Sequence, residues 1–94
     1  MNQITIEELL KKNRGIIIDI RSRLAYSKSH IPGAISIPEA ELFFHPEEYL
    51  SYDEVYYVYC SSGVRSRLLV SHLNSRGYHT IHVVGGFHDY LYFH

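Results

Sequence analysis

The sequence has 94 residues, of which 46% are apolar and 20% are charged, a size and composition that predict one folded domain over residues 1–94. The apolar content excludes an intrinsically disordered chain, and the formal net charge of −1 excludes the basic surface typical of nucleic-acid binding. No apolar run approaches the ~18 residues of a membrane helix, and Glu7 and Glu8 interrupt the signal-peptide position, so we expect a cytoplasmic protein without membrane contact.

The first half of the chain alternates helix and strand signals. Thr5-Ile6-Glu7-Glu8 matches a capping box and predicts a short helix that runs to Lys12 and stops before Gly15. The continuous apolar run over 16–20 is typical of a strand that is covered on both faces. The next predicted elements are a helix over 22–29, a strand over 34–37, and short helices over 39–44 and 46–50.

The second half of the chain repeats this alternation. A β-prone strand is expected over 55–59 and a helix over 64–75, with Leu68, Leu69 and Leu73 as its buried stripe. A strand over 79–84, a tight turn at Gly85-Gly86 and a short helix over 87–92 follow. Strands that alternate with helices indicate an α/β fold, a mostly parallel sheet with helices on both faces.

Cys60, the only cysteine, excludes an intramolecular disulfide and any site with several thiolate ligands from one chain. An isolated cysteine is most often a small buried hydrophobe, but Cys60 follows a predicted strand at the edge where α/β proteins bind ligands. The amides of the following loop, the positive end of the next helix and Arg65 all favour a thiolate there, and Gly63 gives the loop freedom to turn. These features predict an activated sulfur in an anion-binding loop and leave sulfur, phosphorus and arsenic open as the electrophile.

Four segments in the same order carry a resemblance to a known family. Cys60 to Ser66 reads C-S-S-G-V-R-S and resembles the C-x-x-G-x-R-S active-site loop of single-domain rhodanese-like proteins, the thiosulfate sulfurtransferase family. Asp19-Ile20-Arg21, the H-I-P-G-A block over 30–34 and Gly85-Gly86-Phe87 are similar to three further blocks of that family. The resemblance implies a rhodanese-like fold with a mostly parallel, five-stranded sheet.

The resemblance also implies a sulfurtransferase activity. Cys60 would take a sulfane sulfur from thiosulfate or a persulfide donor and pass it to cyanide, a thiol or a thioredoxin-like acceptor, with no cofactor and no metal. The loop residues expected to bind the substrate are Ser61, Ser62, Gly63, Val64, Arg65 and Ser66. Arg65 would also attract an anionic donor, and Arg21 would either recognise the donor or form a structural bond with Asp19.

Two other functions remain open at this point. The family often has a glutamate where this chain has Ala25, and this altered rim fits a non-catalytic or sulfur-relay module that binds a partner protein. The chain also has Ser29 before the H-I-P-G-A block and no tryptophan after Gly85-Gly86. A phosphatase or arsenate reductase is disfavoured, because related phosphatases have the longer C-x5-R loop with a histidine in the place of Tyr59.

The remaining polar residues are given structural roles. His79 and His82 are three apart on a strand and therefore point to opposite faces, which argues against a metal site there. His30 is expected to fix its turn rather than act as a base. The acidic residues of the central connection are expected to form a solvated face: Glu39, Glu41, Glu47, Glu48, Asp53 and Glu54.

Overall fold

In the computed structural model, which describes residues 2–12 and 15–93, five strands form one sheet in which every neighbouring pair is parallel. The strands are β1 Gln3–Ile4, β2 Ile16–Asp19, β3 Ile35–Ser36, β4 Val55–Tyr59 and β5 His79–Val83. The helices are α1 Ile6–Leu10, α2 Arg23–Lys28, α3 Glu39–Phe44, α4 Val64–Ser75 and α5 Gly86–Phe93, with a 3₁₀ turn at Pro46–Glu48. The predicted α/β fold class is confirmed.

The sheet buries both of its faces, as the sequence predicts. Side chains on β4 alternate between two cores: Tyr56 and Val58 pack in one core, and Tyr57 and Tyr59 pack in the other. Residues of α3 and α4 complete the first core, and residues of α1 and α5 complete the second. This double burial explains why β2 and β4 are almost entirely apolar.

Three elements have the predicted bounds, and the ends of the other predicted elements differ from the prediction by one or two residues. The bounds of α3, α4 and β4 are those predicted, and the capping box at Thr5 and Glu8 is present at the start of α1. Strand β1 was missed because two residues carry no periodic pattern. The helix expected over 46–50 is a single 3₁₀ turn.

The predicted buried stripe of α4 is wrong at Leu68, which is 61% exposed. The buried residues of this helix are Ser66, Leu69, Val70 and Leu73. They follow the i, i+3, i+4, i+7 spacing of a single helix face, and Leu68 lies outside it. A serine in this stripe is unusual, and Ser66 is fully buried.

The strand order creates a crevice at one edge of the sheet. The order is β1-β5-β4-β2-β3, so β2 and β4 are neighbours, although the chain leaves them in opposite directions. The connection after β2 leads outward to β3, and the connection after β4 leads to β5 on the other side. In open α/β sheets, such a reversal opens a ligand crevice at the carboxyl ends of the two strands.

Candidate active site

A cavity of about 340 Å³ opens at the carboxyl ends of β2 and β4. The residues that line it are Ile20, Arg21, Ser22, Ala25, Glu39, Cys60, Ser61, Ser62 and Arg65. The cavity therefore combines two of the sequence blocks, one after each strand, at the position that the topology favours. Val64 lies outside this wall and is exposed on α4.

The Cys60 sulfur is held by the backbone of the loop that follows it. Cys60 is 6% exposed, and its Sγ accepts hydrogen bonds from the N–H groups of Gly63 at 3.2 Å and Ser66 at 3.3 Å. The thiol also donates to Ser66 Oγ at 3.4 Å. One side of Cys60 packs in the hydrophobic core, but its sulfur accepts from two backbone donors, and the residue lines the cavity.

The sulfur takes the place of a capping side chain at the start of α4. Gly63 is the N-cap residue, and it adopts a φ of +101° that a residue with a side chain rarely adopts. Glycine offers no capping oxygen, so the Ser66 N–H, which a serine or aspartate N-cap would bind, donates to the sulfur instead. A negative charge on the sulfur is therefore stabilised by the partial positive charge of the helix terminus.

Helix α5 fixes the loop from behind. The N–H groups of Phe87 and His88 donate to the carbonyl oxygens of Cys60 at 2.8 Å and Ser61 at 3.0 Å. Gly86 comes so close that a Cβ atom on it would lie 2.2 Å from the Cys60 oxygen. The Gly85-Gly86 turn is thus required for contact between α5 and the Cys60 loop.

Arg21 forms a buried ion pair with Asp19, which is one of the two roles considered for it. Its guanidinium donates to the Asp19 carboxylate through Nε and through Nη2 at 2.7 Å, and Nη2 also donates to the Ser29 carbonyl. Its Cζ lies 4.0 Å from the centre of the Phe87 ring. Burial opposes the charge of Arg21, but the hydrogen bond and charge of Asp19 outweigh this effect and raise the pKa of Arg21.

Tyr59 connects this ion pair to the turn that contains the H-I-P-G-A block. Its hydroxyl donates to Asp19 Oδ2 at 2.7 Å and accepts from the Ile31 N–H at 3.1 Å. Burial, followed by the bond to Asp19, raises the pKa of Tyr59, so the phenol keeps its proton. His30 bonds the Tyr26 carbonyl at 2.8 Å through Nδ1 and stacks on the Tyr26 ring, which is the turn-fixing role expected of it.

Arg65 is paired across the mouth of the cavity. Its Nε donates to Glu39 Oε1 at 2.5 Å, and this hydrogen bond raises the pKa of Arg65. The prediction that Glu39 belongs to a solvated acidic face is therefore wrong, because Glu39 lines the cavity. No sequence signal connects two residues that are 26 positions apart. Glu39 begins α3 after β3, and its N–H donates to the Ile20 carbonyl at the end of β2, which places it beside the loop that follows β4.

The structure brings most of the predicted site residues to one place. Arg21, Cys60, Ser61, Ser62 and Arg65 line the cavity, while the backbone N–H groups of two other predicted residues contact the sulfur. Sequence reasoning missed Glu39 and the contact of His82 with Ser66, whose Oγ lies 2.9 Å from His82 Nδ1. The alternation of side chains along β5 places His82 on a buried face of the sheet, and this pattern was the available sequence signal for its contact with Ser66.

Within the described residues, we also considered potential metal ligands and membrane-spanning helices. His45, Glu47 and Glu48 bring potential metal ligands within 4.8 Å of one another, but all three are exposed, and carboxylates of this kind are common at surfaces without an ion. None of the helices in 2–12 and 15–93 combines the length and apolar character that crossing a membrane requires.

Comparison with known proteins gives consistent matches. The family model of the Rhodanese-like domain matches residues 3–92. The "Adenylyltransferase and sulfurtransferase uba4" of Ogataea parapolymorpha is 32% identical over 85 residues, which cover 89% of this chain and 22% of that protein. The "Thiosulfate sulfurtransferase GlpE" of Coxiella burnetii is 31% identical over 81 residues, which cover 85% of this chain and 75% of GlpE.

A solved structure agrees with these sequence matches. The rhodanese-like domain protein from Staphylococcus aureus superposes with a TM-score of 0.79 at 32% identity, covering 94% of this chain and 89% of that one. The present chain therefore spans most of some relatives and about a fifth of uba4.

Proposed function

Because the chain belongs to the rhodanese-like domain family, whose members include sulfurtransferases, we propose that it transfers a sulfane sulfur through Cys60. The Cys60 thiolate attacks the outer sulfur of thiosulfate, the S–S bond of the donor breaks, and sulfite leaves with the bonding electrons. Cys60 then carries a persulfide with an anionic terminal sulfur. A thiolate or cyanide attacks that terminal sulfur, and Cys60 leaves as a thiolate.

The observation that carries this proposal is the environment of the sulfur at the open cavity. Two backbone N–H groups already donate to Sγ, so a negative charge there is stabilised without rearrangement of the loop. The cavity next to the sulfur has a volume of about 340 Å³, which is ample for a small anionic donor. A cysteine kept only for packing would need neither the donors nor the cavity.

The charges at the cavity rim support an anionic donor that competes with Glu39 for Arg65. The guanidinium is bound to Glu39, so an incoming anion exchanges with that carboxylate or binds beside it. Arg21 is held by Asp19 and contributes its positive charge to the wall without changing partners. The acceptor thiol must come from another molecule, because Cys60 is the only cysteine.

Intact mass after incubation with thiosulfate tests the proposal directly. We expect a gain of one sulfur atom in the wild-type protein and none in Cys60→Ser, which keeps the shape of the site and removes the only thiol. Cyanide should then remove the added sulfur and yield thiocyanate. If the wild type neither gains sulfur nor produces thiocyanate, the thiosulfate transfer proposed here is wrong.

The same preparations distinguish the two alternatives. A sulfur-relay module would gain sulfur from a protein persulfide but not from thiosulfate, and the small side chain of Ala25 in the cavity wall fits such a donor. A phosphatase would release phosphate from an aryl phosphate in a reaction that Cys60→Ser abolishes.

A further inference from the structure

A buried histidine lies directly behind the sulfur site. His82, on β5, is 5% exposed, and its Nδ1 lies 2.9 Å from the Ser66 hydroxyl oxygen. That oxygen lies 3.4 Å from Cys60 Sγ. A continuous line of polar atoms therefore runs from the sulfur through Ser66 to the sheet.

Ser66 has a choice of partners, and His82 is the closest of them. Serine in a helix commonly turns its hydroxyl to a carbonyl one turn earlier, and the Gly63 carbonyl lies 3.4 Å from Ser66 Oγ. The contact with His82, at 2.9 Å, is shorter than this one. The imidazole is therefore nearer to the Ser66 hydroxyl than the carbonyl that a helical serine commonly binds.

The number of hydrogens on Ser66 limits what it can offer the sulfur. A serine hydroxyl has one hydrogen to donate and two lone pairs that accept. In the thiol, Cys60 donates to Ser66 Oγ, and Ser66 can donate to His82 Nδ1. In a thiolate, Cys60 Sγ carries the negative charge and no hydrogen, so the Ser66 hydroxyl can donate its hydrogen to Sγ.

The surroundings of His82 allow it to act as a donor to Ser66. Burial, and then the positive charge of Arg67, lower the pKa of His82, so the ring is neutral at pH 7. A neutral imidazole carries one hydrogen, on either nitrogen. His82 also lines a second cavity together with Asn2, Arg67 and Asn74.

We propose that His82 is a positioning residue for Cys60. Its Nδ1–H donates to Ser66 Oγ and leaves the Ser66 hydroxyl hydrogen directed at the anionic sulfur. The sulfur then accepts a third hydrogen bond besides those of the Gly63 and Ser66 amides. The inference rests on the proposed function only in that Cys60 reacts as an anion.

Three substitutions at one position separate this role from simple packing. His82→Leu removes the hydrogen bond, while His82→Asn places an amide close to the position of Nδ1. His82→Gln places its amide one bond further out, near Nε2, and serves as the matched control. The readout is the second-order rate of Cys60 alkylation by iodoacetamide, measured by intact mass on protein whose folding is verified by circular dichroism.

At a pH at which most of Cys60 is protonated, we expect His82→Leu and His82→Gln to react about five- to tenfold more slowly than the wild type. The loss of one hydrogen bond to a charged atom lowers the thiolate fraction by more than it raises the nucleophilicity of the thiolate. His82→Asn should react at close to the wild-type rate. If His82→Leu does not fold, the comparison of Asn with Gln decides, and equal rates for these two variants refute the proposal.

A double-mutant cycle tests whether His82 acts through Ser66. Ser66→Ala should slow alkylation by a similar factor, and His82→Leu should have no further effect in the Ser66→Ala background. Additive effects of the two substitutions refute the proposal, because they indicate independent structural roles.

Thiosulfate loading of the same variants separates this inference from the proposed function. If the wild type is not loaded while the alkylation pattern holds, the proposed function fails and the role of His82 stands. If the wild type is loaded but all His82 variants are alkylated at the wild-type rate, the proposed function stands and the role of His82 is refuted.

Discussion

Replacing Gly86 by alanine tests whether the start of α5 holds the Cys60 loop in its reactive geometry. The new Cβ would lie 2.2 Å from the Cys60 carbonyl oxygen and 2.9 Å from that of Ser61. Both oxygens also accept hydrogen bonds from the first turn of α5, so the loop cannot move away without weakening them. We therefore expect the substitution to act on the sulfur site although it adds only one methyl group.

The size of the effect follows from the distances. Carbon and oxygen that are not bonded stay about 3.3 Å apart, so Gly86 and Cys60 must separate by roughly 1 Å. The φ of +56° at Gly86 adds about 1 kcal/mol of strain for alanine. A displacement of roughly 1 Å in a positioned reacting group can lower a rate about 100-fold, and we expect alkylation of Cys60 to slow by up to that factor.

Gly33→Ala is the matched control for this experiment. Gly33 also has a positive φ, +88°, but within residues 2–12 and 15–93 no atom outside Gly33 and its two chain neighbours lies within 4 Å of the position of its Cβ. It should lose stability through strain alone and keep the wild-type rate of alkylation by iodoacetamide. Circular dichroism verifies that Gly86→Ala is folded. If the folded variant is then alkylated as fast as Gly33→Ala, this account of the Gly85-Gly86 turn is refuted.

Three further predictions concern stability. Asp19→Asn should lower the free energy of unfolding in urea by about 3 kcal/mol, because Arg21 loses its ionised partner; a loss below about 1 kcal/mol would contradict this. Because burial lowers the pKa of His82, the unfolded chain binds a proton at a higher pH than the folded chain, and the free energy of unfolding should fall as the pH drops below about 6.5. His82→Asn should make this fall shallower in urea titrations at several pH values, and an unchanged slope would contradict the prediction. Leu69→Ala should cost about 2–5 kcal/mol and Leu68→Ala less than about 0.5 kcal/mol in thermal unfolding, whereas equal losses would contradict the assigned helix face.

The elements that the sequence predicts well are those whose signals are local. The capping box at Thr5, the apolar run of β2 and the bounds of α4 each depend on residues within a few positions of one another. The same holds for the Cys60 loop, in which Gly63 and Ser66 lie close along the chain to the sulfur that their amides bind. A strand followed by a glycine-containing loop and a helix already implies an anion-binding loop.

Features that depend on partners distant in sequence were decided by the tertiary structure. The local sequence of α4 gives Arg65 no acidic partner and leaves it able to attract a donor, but the tertiary structure places Glu39 beside it. The partner of Ser66 is His82, which lies 16 positions away and comes close because β5 is the neighbour of β4. Strand β1 exists for the same reason, since its two residues are extended only because β5 offers them hydrogen bonds. Periodicity and loop motifs report local preferences, whereas the pairing of charges and hydroxyls depends on which strands become neighbours.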